Sequence, residues 1–310
     1  MSHVDVVIVN YRSAAYTAAC VGAVHRVAQG DGVAANVIVV NNSGGAPDLE
    51  AQVGARGPAD FVHNTSNLGF GAACNIGAAR GAAPLILFLN PDAVLKPGYF
   101  QAAAAFMNDP ANRQVGILGP AIEREDGAVS ETSADLPSFA SLMTRTLGLS
   151  RAFLPAGRHA RSGPVGQVMG AALLIRRPLF RDLAGFDPRF FLYYEDVDLC
   201  ARAASRGAAT YYLTAARAAH IGRVSSSHDT GMALALFLRS RFTYARLHFG
   251  VIAQALLILA SYLGELPLRL LRTLFGGKSI TGLAVLRAYR LLSINLISGT
   301  SLVTLGARER

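Results

Sequence analysis

At 310 residues with 52% hydrophobic side chains, the chain has the length of one large domain or two modest ones and the composition of a globular protein with a substantial core. Its net charge of +9 is uneven: residues 1–238 carry 19 basic and 18 acidic side chains, whereas 239–310 carry ten basic and two acidic. That tail is also apolar through Val251–Gly264, and a basic, apolar helical end points to an anionic membrane surface and away from nucleic acid. Cys20, Cys74 and Cys200 are odd in number and lack metal-ligand spacing, so they read as reduced thiols of a cytosolic compartment.

No secretory leader is predicted, because Met1–Asp5 has no basic start and the apolar run behind it ends at Asn10. Val4–Asn10 and Asn36–Asn42 are β-branched runs expected as strands, with a helix over Ala14–Ala28 between them. Strands apolar on both faces and joined by a helix form a parallel βαβ unit. Phe61–His63 and Leu85–Leu89 add strands, with an alanine-rich helix over Gly71–Arg80. The first third is thus a doubly wound α/β unit, whose ligands sit at the carboxyl ends of the strands. Those ends are polar: Asn10-Tyr11-Arg12, Asn41-Asn42-Ser43-Gly44-Gly45 and Asn90-Pro91-Asp92. Between them Asn64–Gly77 is a glycine-bearing loop entering a helix, whose amides can receive phosphate. It contains no Gly-x-Gly-x-x-Gly run and no acid suitably placed about 20 residues beyond, which argues against a nucleotide-dependent oxidoreductase.

Residues 115–165, repeatedly Gly, Pro and Ser, read as a connecting region with a hairpin turn at Glu123-Arg124-Glu125-Asp126-Gly127. Strand character resumes at Val168–Ile175. Glu195-Asp196-Val197-Asp198 then crowds three carboxylates behind the apolar, aromatic run Phe190–Tyr194. Packed carboxylates raise one another's pKa values, and such a cluster serves as a general base or holds a cation. A helix over Asp196–Arg206, stopped at Gly207, would use one acid as a cap and leaves the others unexplained. Asp92 supplies a second acidic turn, and His220, just past Tyr211–Leu213, takes its value from the acids it joins. The apolar run to Gly264 falls short of the ~20 residues of a spanning helix, and Glu265, Pro267 and Arg269 interrupt its continuation. The tail is therefore expected to lie in a membrane interface.

Assembled, these residues resemble family 2 inverting glycosyltransferases of the GT-A fold, close to bacterial rhamnosyltransferases of cell-surface polysaccharide synthesis, over about residues 4–249. Val6–Tyr11 resembles the family's opening strand, Val39–Ser43 its base-recognising strand end, and Asn67-Leu68-Gly69-Phe70-Gly71 through Asn75 its glycine loop. Asn90-Pro91-Asp92 resembles the diphosphate and metal motif, Gly170-Ala171-Ala172 the acceptor-side segment, and Glu195-Asp196-x-Asp198 with Arg202 the catalytic box. His220 stands where relatives offer a metal-binding His, and Arg239–Gly250 resembles the end of the catalytic domain.

The resemblance implies an α/β, doubly wound mixed sheet of GT-A type. Its Rossmann-like nucleotide-binding half would span about 1–120 and its acceptor-binding half about 121–249, with a basic, helical, membrane-associating tail over 250–310. It implies that Asn10, Tyr11, Arg12, Asn41, Asn42, Asn67, Gly69, Phe70, Asn75, Asn90 and Asp92 bind a nucleotide-sugar donor, and that Asp92 and His220 hold Mg²⁺ or Mn²⁺. Asp196 would take the proton of an acceptor hydroxyl. Glu195 and Asp198 would orient the acceptor or cap the helix, and raise the pKa of Asp196 by like charge. Two departures stand out. Asn41 replaces an Asp that reads the nucleobase, and Asn90-Pro91-Asp92 replaces Asp-x-Asp, although one carboxylate suffices for Mg²⁺. The implied donor is dTDP-rhamnose, with UDP- and GDP-sugars as alternatives, and the implied acceptor is a polyprenyl-diphosphate-linked glycan. The implied location is the inner face of the bacterial plasma membrane, as a peripheral protein. A non-catalytic carbohydrate- or lipid-binding scaffold of the same fold is the remaining alternative, and Asp196, Asp92 and His220 speak against it.

Overall fold

A computed structural model of the chain describes residues 3–45, 47–124, 128–130, 132–149, 161–220, 229–274 and 280–308. Uninterrupted apolar runs become strands: β1 (His3–Asn10), β2 (Ala34–Asn41), β3 (Asp60–His63) and β4 (Leu85–Leu89) pair in parallel in the order β3-β2-β1-β4. Alternate residues of β1 serve opposite layers, as the two-residue strand period requires. Val4, Val6 and Ile8 pack with Cys20, Val21 and Val24 of the helix Ala14–Gly30. Val7 and Val9 pack with Ala73, Cys74 and Ala78 of the helix Phe70–Ala78. A Cβ on Gly77 would lie 2.5 Å from Val7 Cγ1, so only glycine lets that second helix sit so close to the sheet.

The remaining strands are β5 (Ala93–Leu95), β6 (Val115–Glu123), β7 (Ser133–Ala134), β8 (Gly163–Val165), β9 (Gln167–Val168), β10 (Ala172–Arg176) and β11 (Ala209–His220). They complete a mixed nine-stranded sheet in the order β3-β2-β1-β4-β10-β6-β11-β5, with β8 also on β11, and a two-stranded β7-β9 sheet. β6 corrects the sequence reading, which makes 115–165 a connection. It is an interior strand, buried along all but its last residue. Its glycines hide it. A Cβ on Gly116 would lie 2.2 Å from Leu179 and one on Gly119 2.5 Å from Val168, so both are there for close packing rather than for turns. The expected hairpin is framed by a Glu123–Val129 bridge, while residues 125–127 at its tip lie outside the described residues.

Two compact units divide the chain. The sheet unit is Met1–Leu136, Gly157–Pro188 and Glu195–Ser225, and the helical unit is Pro137–Ala156, Arg189–Tyr194 and Ser226–Arg310. Within the helical unit, Thr230–Ala260 is two helices joined at a kink, where Gly250 has a non-helical φ of 91 and ψ of 177. Asp229 caps the first of them by accepting from Met232 N at 2.9 Å. Inside the helical unit Arg241 pairs with buried Glu265, which also accepts from Arg269 at 2.7 Å. Burial alone would raise the Glu265 pKa, but these two guanidiniums hold it below the usual carboxylate range.

The backbone stays helical past Gly264, where the uninterrupted apolar run ends. Thr230–Thr273 includes the one stretch among the described residues that is apolar and long enough to cross a membrane by length and composition, with a mean hydropathy of 1.7. Within it Ile252, Leu256, Leu259 and Leu263 form an exposed stripe at helical spacing, Ile252 78% and Leu263 71% exposed, while Ala253, Leu257 and Ser261 are buried. This long apolar helix fits a membrane-associating tail.

Candidate active site

Register brings the polar strand ends of β1 and β2 together, with Asn10 opposite Asn41. Both side chains are buried. Asn10 Nδ2 donates to Asn41 Oδ1 at 3.1 Å, and Asn10 Oδ1 accepts from Thr17 Oγ1 at 3.0 Å. Asn41 Oδ1 also accepts from Ser43 N at 3.2 Å, and its Nδ2 meets His63 Nδ1 at 3.3 Å. Asn42 makes four hydrogen bonds. Its Nδ2 donates to Asn67 Oδ1 (2.8 Å) and Gly69 O (3.2 Å), and its Oδ1 accepts from Asn64 Nδ2 (3.0 Å) and Leu68 N (3.1 Å). That saturates the donors and acceptors of an amide side chain. Asn67 also accepts from the amide of Gly69, whose φ of 87 needs glycine to start the helix behind it. Asn75 grips both backbone groups of Phe186 at 2.8 Å.

Five of the residues expected to touch a donor therefore spend their amides on the protein, fixing the strand ends and the glycine loop. Tyr11 and Arg12 differ. Arg12 has φ 53 and is exposed, and its guanidinium lies 5.5 Å from the Tyr11 ring centroid, a cation–π arrangement at the strand mouth. Phe70 is half-buried, edge-on to Phe186. Thr17 and His63 join the network without having been singled out, since a Thr in a helix or a His at a strand end carries no signal alone.

The groups around the acidic residues converge from four segments. Antiparallel pairing of β11 with β5 sets His220 opposite Ala93, which places His220 Nε2 3.0 Å from Oδ1 of buried Asp92. The turn before Asp92 is tied to the acceptor-side segment, as Asn90 N donates to Ala171 O at 2.9 Å. The neighbouring Gly170 N donates to Asp196 Oδ2 at 2.7 Å, and Val197 N to Asp196 Oδ1 at 2.8 Å. A short run of backbone thus links the Asp92–His220 pair to Asp196.

Environment separates the three clustered acids. Glu195 is buried, its Oε2 has no hydrogen-bond partner among the described residues, and its carboxyl is pushed up to about 8, first by burial and second by the charge of Asp196. Asp196 is also raised by burial, opposed by the amides of Gly170 and Val197. Both carboxyls are thus raised, with burial the first cause in each. Asp198 is buried against Arg202 Nε at 2.7 Å, and Arg202 Nη1 reaches Leu183 O at 2.7 Å. This ion pair, one helical turn long, braces the helix Glu195–Ser205. The three cysteines are buried free thiols, and burial pushes Cys200 up to about 12.

No group of three or more His, Cys, Asp or Glu side chains suited to a metal occurs among the described residues. Asp92 with His220 offers one carboxylate and one imidazole. That set fits a hard cation that takes its other ligands from phosphate and water, as Mg²⁺ usually does.

Solved structures share this architecture. The chain matches the mannosyltransferase PcManGT of Pyrobaculum calidifontis, solved in complex with GDP-Man and Mn²⁺, with a TM-score of 0.55 and 15% identity over 99% of this chain and 79% of that one. It matches S. aureus TarS 1–349 in complex with UDP-GlcNAc with a TM-score of 0.53 and 15% identity, over 79% and 67%. The fold is a mixed α/β fold of GT-A type. Residues 2–243 match the model of "Glycosyltransferase like family 2", and the chain belongs to that family. It is 31% identical over 200 residues to the N-acetylglucosaminyl-diphospho-decaprenol L-rhamnosyltransferase of Mycobacterium tuberculosis, covering 58% of this chain and 64% of that protein. It is 26% identical over 163 residues to Rhamnosyltransferase WbbL of Escherichia coli, covering 51% and 60%. The chain thus spans less than two thirds of either relative.

Proposed function

We propose that the chain is an inverting glycosyltransferase that moves rhamnose from dTDP-rhamnose to a hydroxyl of a polyprenyl-diphosphate-linked glycan, at the inner face of the plasma membrane. The observation that carries this reading is the backbone link from Asp92–His220 through Ala171 and Gly170 to Asp196. Asp92 and His220 would hold Mg²⁺ or Mn²⁺, which when bound neutralises charge on the donor diphosphate. Arg12 supplies a further cation at the strand mouth. Asp196, held in place by two amides and with its pKa raised by burial, accepts the proton of the acceptor hydroxyl, whose oxygen attacks the anomeric carbon from the face opposite the departing diphosphate. Glu195 lies beside it, its carboxyl pushed up by burial and by the charge of Asp196, so the two carboxyls titrate as a pair.

Rhamnose is favoured by the two rhamnosyltransferase relatives, and the decaprenol-linked substrate in one of their names supports a lipid-linked acceptor. UDP- and GDP-sugars are the second reading, because Asn41, at the base-reading position, is occupied by Asn10, Ser43 and His63. The exposed stripe from Ile252 to Leu263 supports membrane contact. The test is to supply dTDP-rhamnose and a polyprenyl-diphosphate GlcNAc in anionic vesicles and to read the product by NMR. The expected product has the anomeric configuration opposite to that of the donor, and retained configuration would end the inverting assignment.

A further inference from the structure

Within the helical unit a cavity of about 230 Å³ is lined by Arg189, Arg239, Thr243, Arg246, Leu247 and Gln254. Arg239, Thr243, Arg246 and Leu247 recur at helical spacing along one face of Thr230–Ala260, and Gln254 follows the break at Gly250. Arg189 comes from the run before Glu195, which is held to the same helix by Ser240 Oγ donating to Leu192 O at 2.8 Å and by Tyr194 against Tyr244. None of the described lining residues is a carboxylate. Burial first, and the neighbouring Arg246 second, lower the Arg239 pKa, yet a guanidinium remains charged at neutral pH. Glu265 and Asp229, acids of the same unit, are engaged by Arg241, Arg269 and Arg287.

Three guanidiniums gathered round one cavity, two of them repelling each other, suit an anion with several oxygens, which Arg takes in forked pairs. The volume is several times the ~30 Å³ that one water occupies in the liquid, which leaves room for two phosphoryl groups. Gln254 of the lining lies past the break at Gly250 in the same segment as the exposed residues Ile252, Leu256 and Leu259, so the phosphate the cavity suits is one attached to an apolar chain. We propose that this cavity binds the diphosphate of the polyprenyl-linked acceptor through Arg189, Arg239 and Arg246. The inference rests on the acceptor reading above and adds to it the residues that grip the acceptor's phosphates.

Farnesyl diphosphate, farnesol and phosphatidylglycerol vesicles serve as probes of the full chain, in chelator so that metal-assisted diphosphate binding at Asp92 does not contribute. The wild-type chain should bind farnesyl diphosphate and not farnesol. Arg246→Gln, at an exposed position, should weaken that binding roughly ten- to hundredfold, the loss of one charge-assisted contact, and Arg246→Lys should recover only part of it. Equal affinity in wild type and Arg246→Gln overturns the proposal. So does an equal loss of phosphatidylglycerol binding, which would assign the cavity to bulk headgroups. The acceptor reading is judged separately. Sugar transfer to a lipid-linked acceptor with the same acceptor KM in Arg246→Gln removes the cavity's role and leaves that reading standing. Arginine-dependent farnesyl diphosphate binding without transfer to any lipid-linked acceptor keeps the cavity's ligand chemistry and removes the reading.

Discussion

At the carboxyl ends of β1 and β2, Asn10, Asn41, Asn42 and Asn67 bond to one another and to the backbone, whereas at the acidic site Asp196 is held by two backbone amides and Glu195 keeps an oxygen without a partner among the described residues. Both regions are polar and partly or fully buried. The asparagines, neutral and able to donate and accept, satisfy each other and set geometry. The carboxylates, which can only accept when ionised, are left with strained protonation states that suit proton transfer. Polar clustering in a sequence therefore marks two kinds of residue, braces and reagents, and only the partners of each atom tell them apart.

Substitutions should separate the two groups. The largest effect is expected at Asp196: Asp196→Asn should lower kcat by about 10²–10⁴-fold, the range for a lost general base, with donor affinity nearly intact. Activity within a few-fold of wild type would move Asp196 among the braces. Asp92→Ala should weaken donor binding about 10–100-fold and more than His220→Ala does, because it removes the charged ligand. Chelation should stop transfer and Mg²⁺ or Mn²⁺ restore it, so full activity in excess chelator would leave Asp92 a turn residue.

Asn42→Ala removes four hydrogen bonds from the glycine loop and should cost about 3 kcal/mol of stability in urea titrations, with little change in kcat for the folded fraction. A stable variant with a much higher donor KM would show that Asn42 touches the ligand. A further effect concerns pH. Glu195 titrates at about 8 in the folded chain against 4.5 ordinarily, so its stabilising contribution is complete below about pH 4.5 and fades as pH rises through 8. Over that window the wild-type chain should lose up to ~1.4 kcal/mol per pH unit relative to Glu195→Gln. Parallel stability curves would place Glu195 in an ordinary, solvated setting.

Much of the sheet unit was legible in the sequence, because branched apolar runs such as Val4–Val9 and Leu85–Leu89 carry an unambiguous strand signal. β6 was not, since Gly116, Gly119 and Pro120 read as loop until Leu179 and Val168 are seen filling the space that the glycines leave. Asp92 and His220, 128 residues apart, could be joined beforehand only through family resemblance, and the β5–β11 register supplies the physical reason. Asp198 and Arg202 stand one helical turn apart, so their ion pair was readable in principle. The arginine cavity was not, because Arg189 meets Arg239 and Arg246 only after the chain returns to that helix.

The most direct measurement of the central claim is nucleoside diphosphate release from a panel of dTDP-, UDP- and GDP-sugars, with and without a polyprenyl-diphosphate GlcNAc acceptor. Metal-dependent release of one nucleotide, fastest from dTDP-rhamnose and stimulated by the acceptor, is the predicted result. No release from any sugar nucleotide, with the chain folded and metal present, would contradict it and leave a binding scaffold of the same fold.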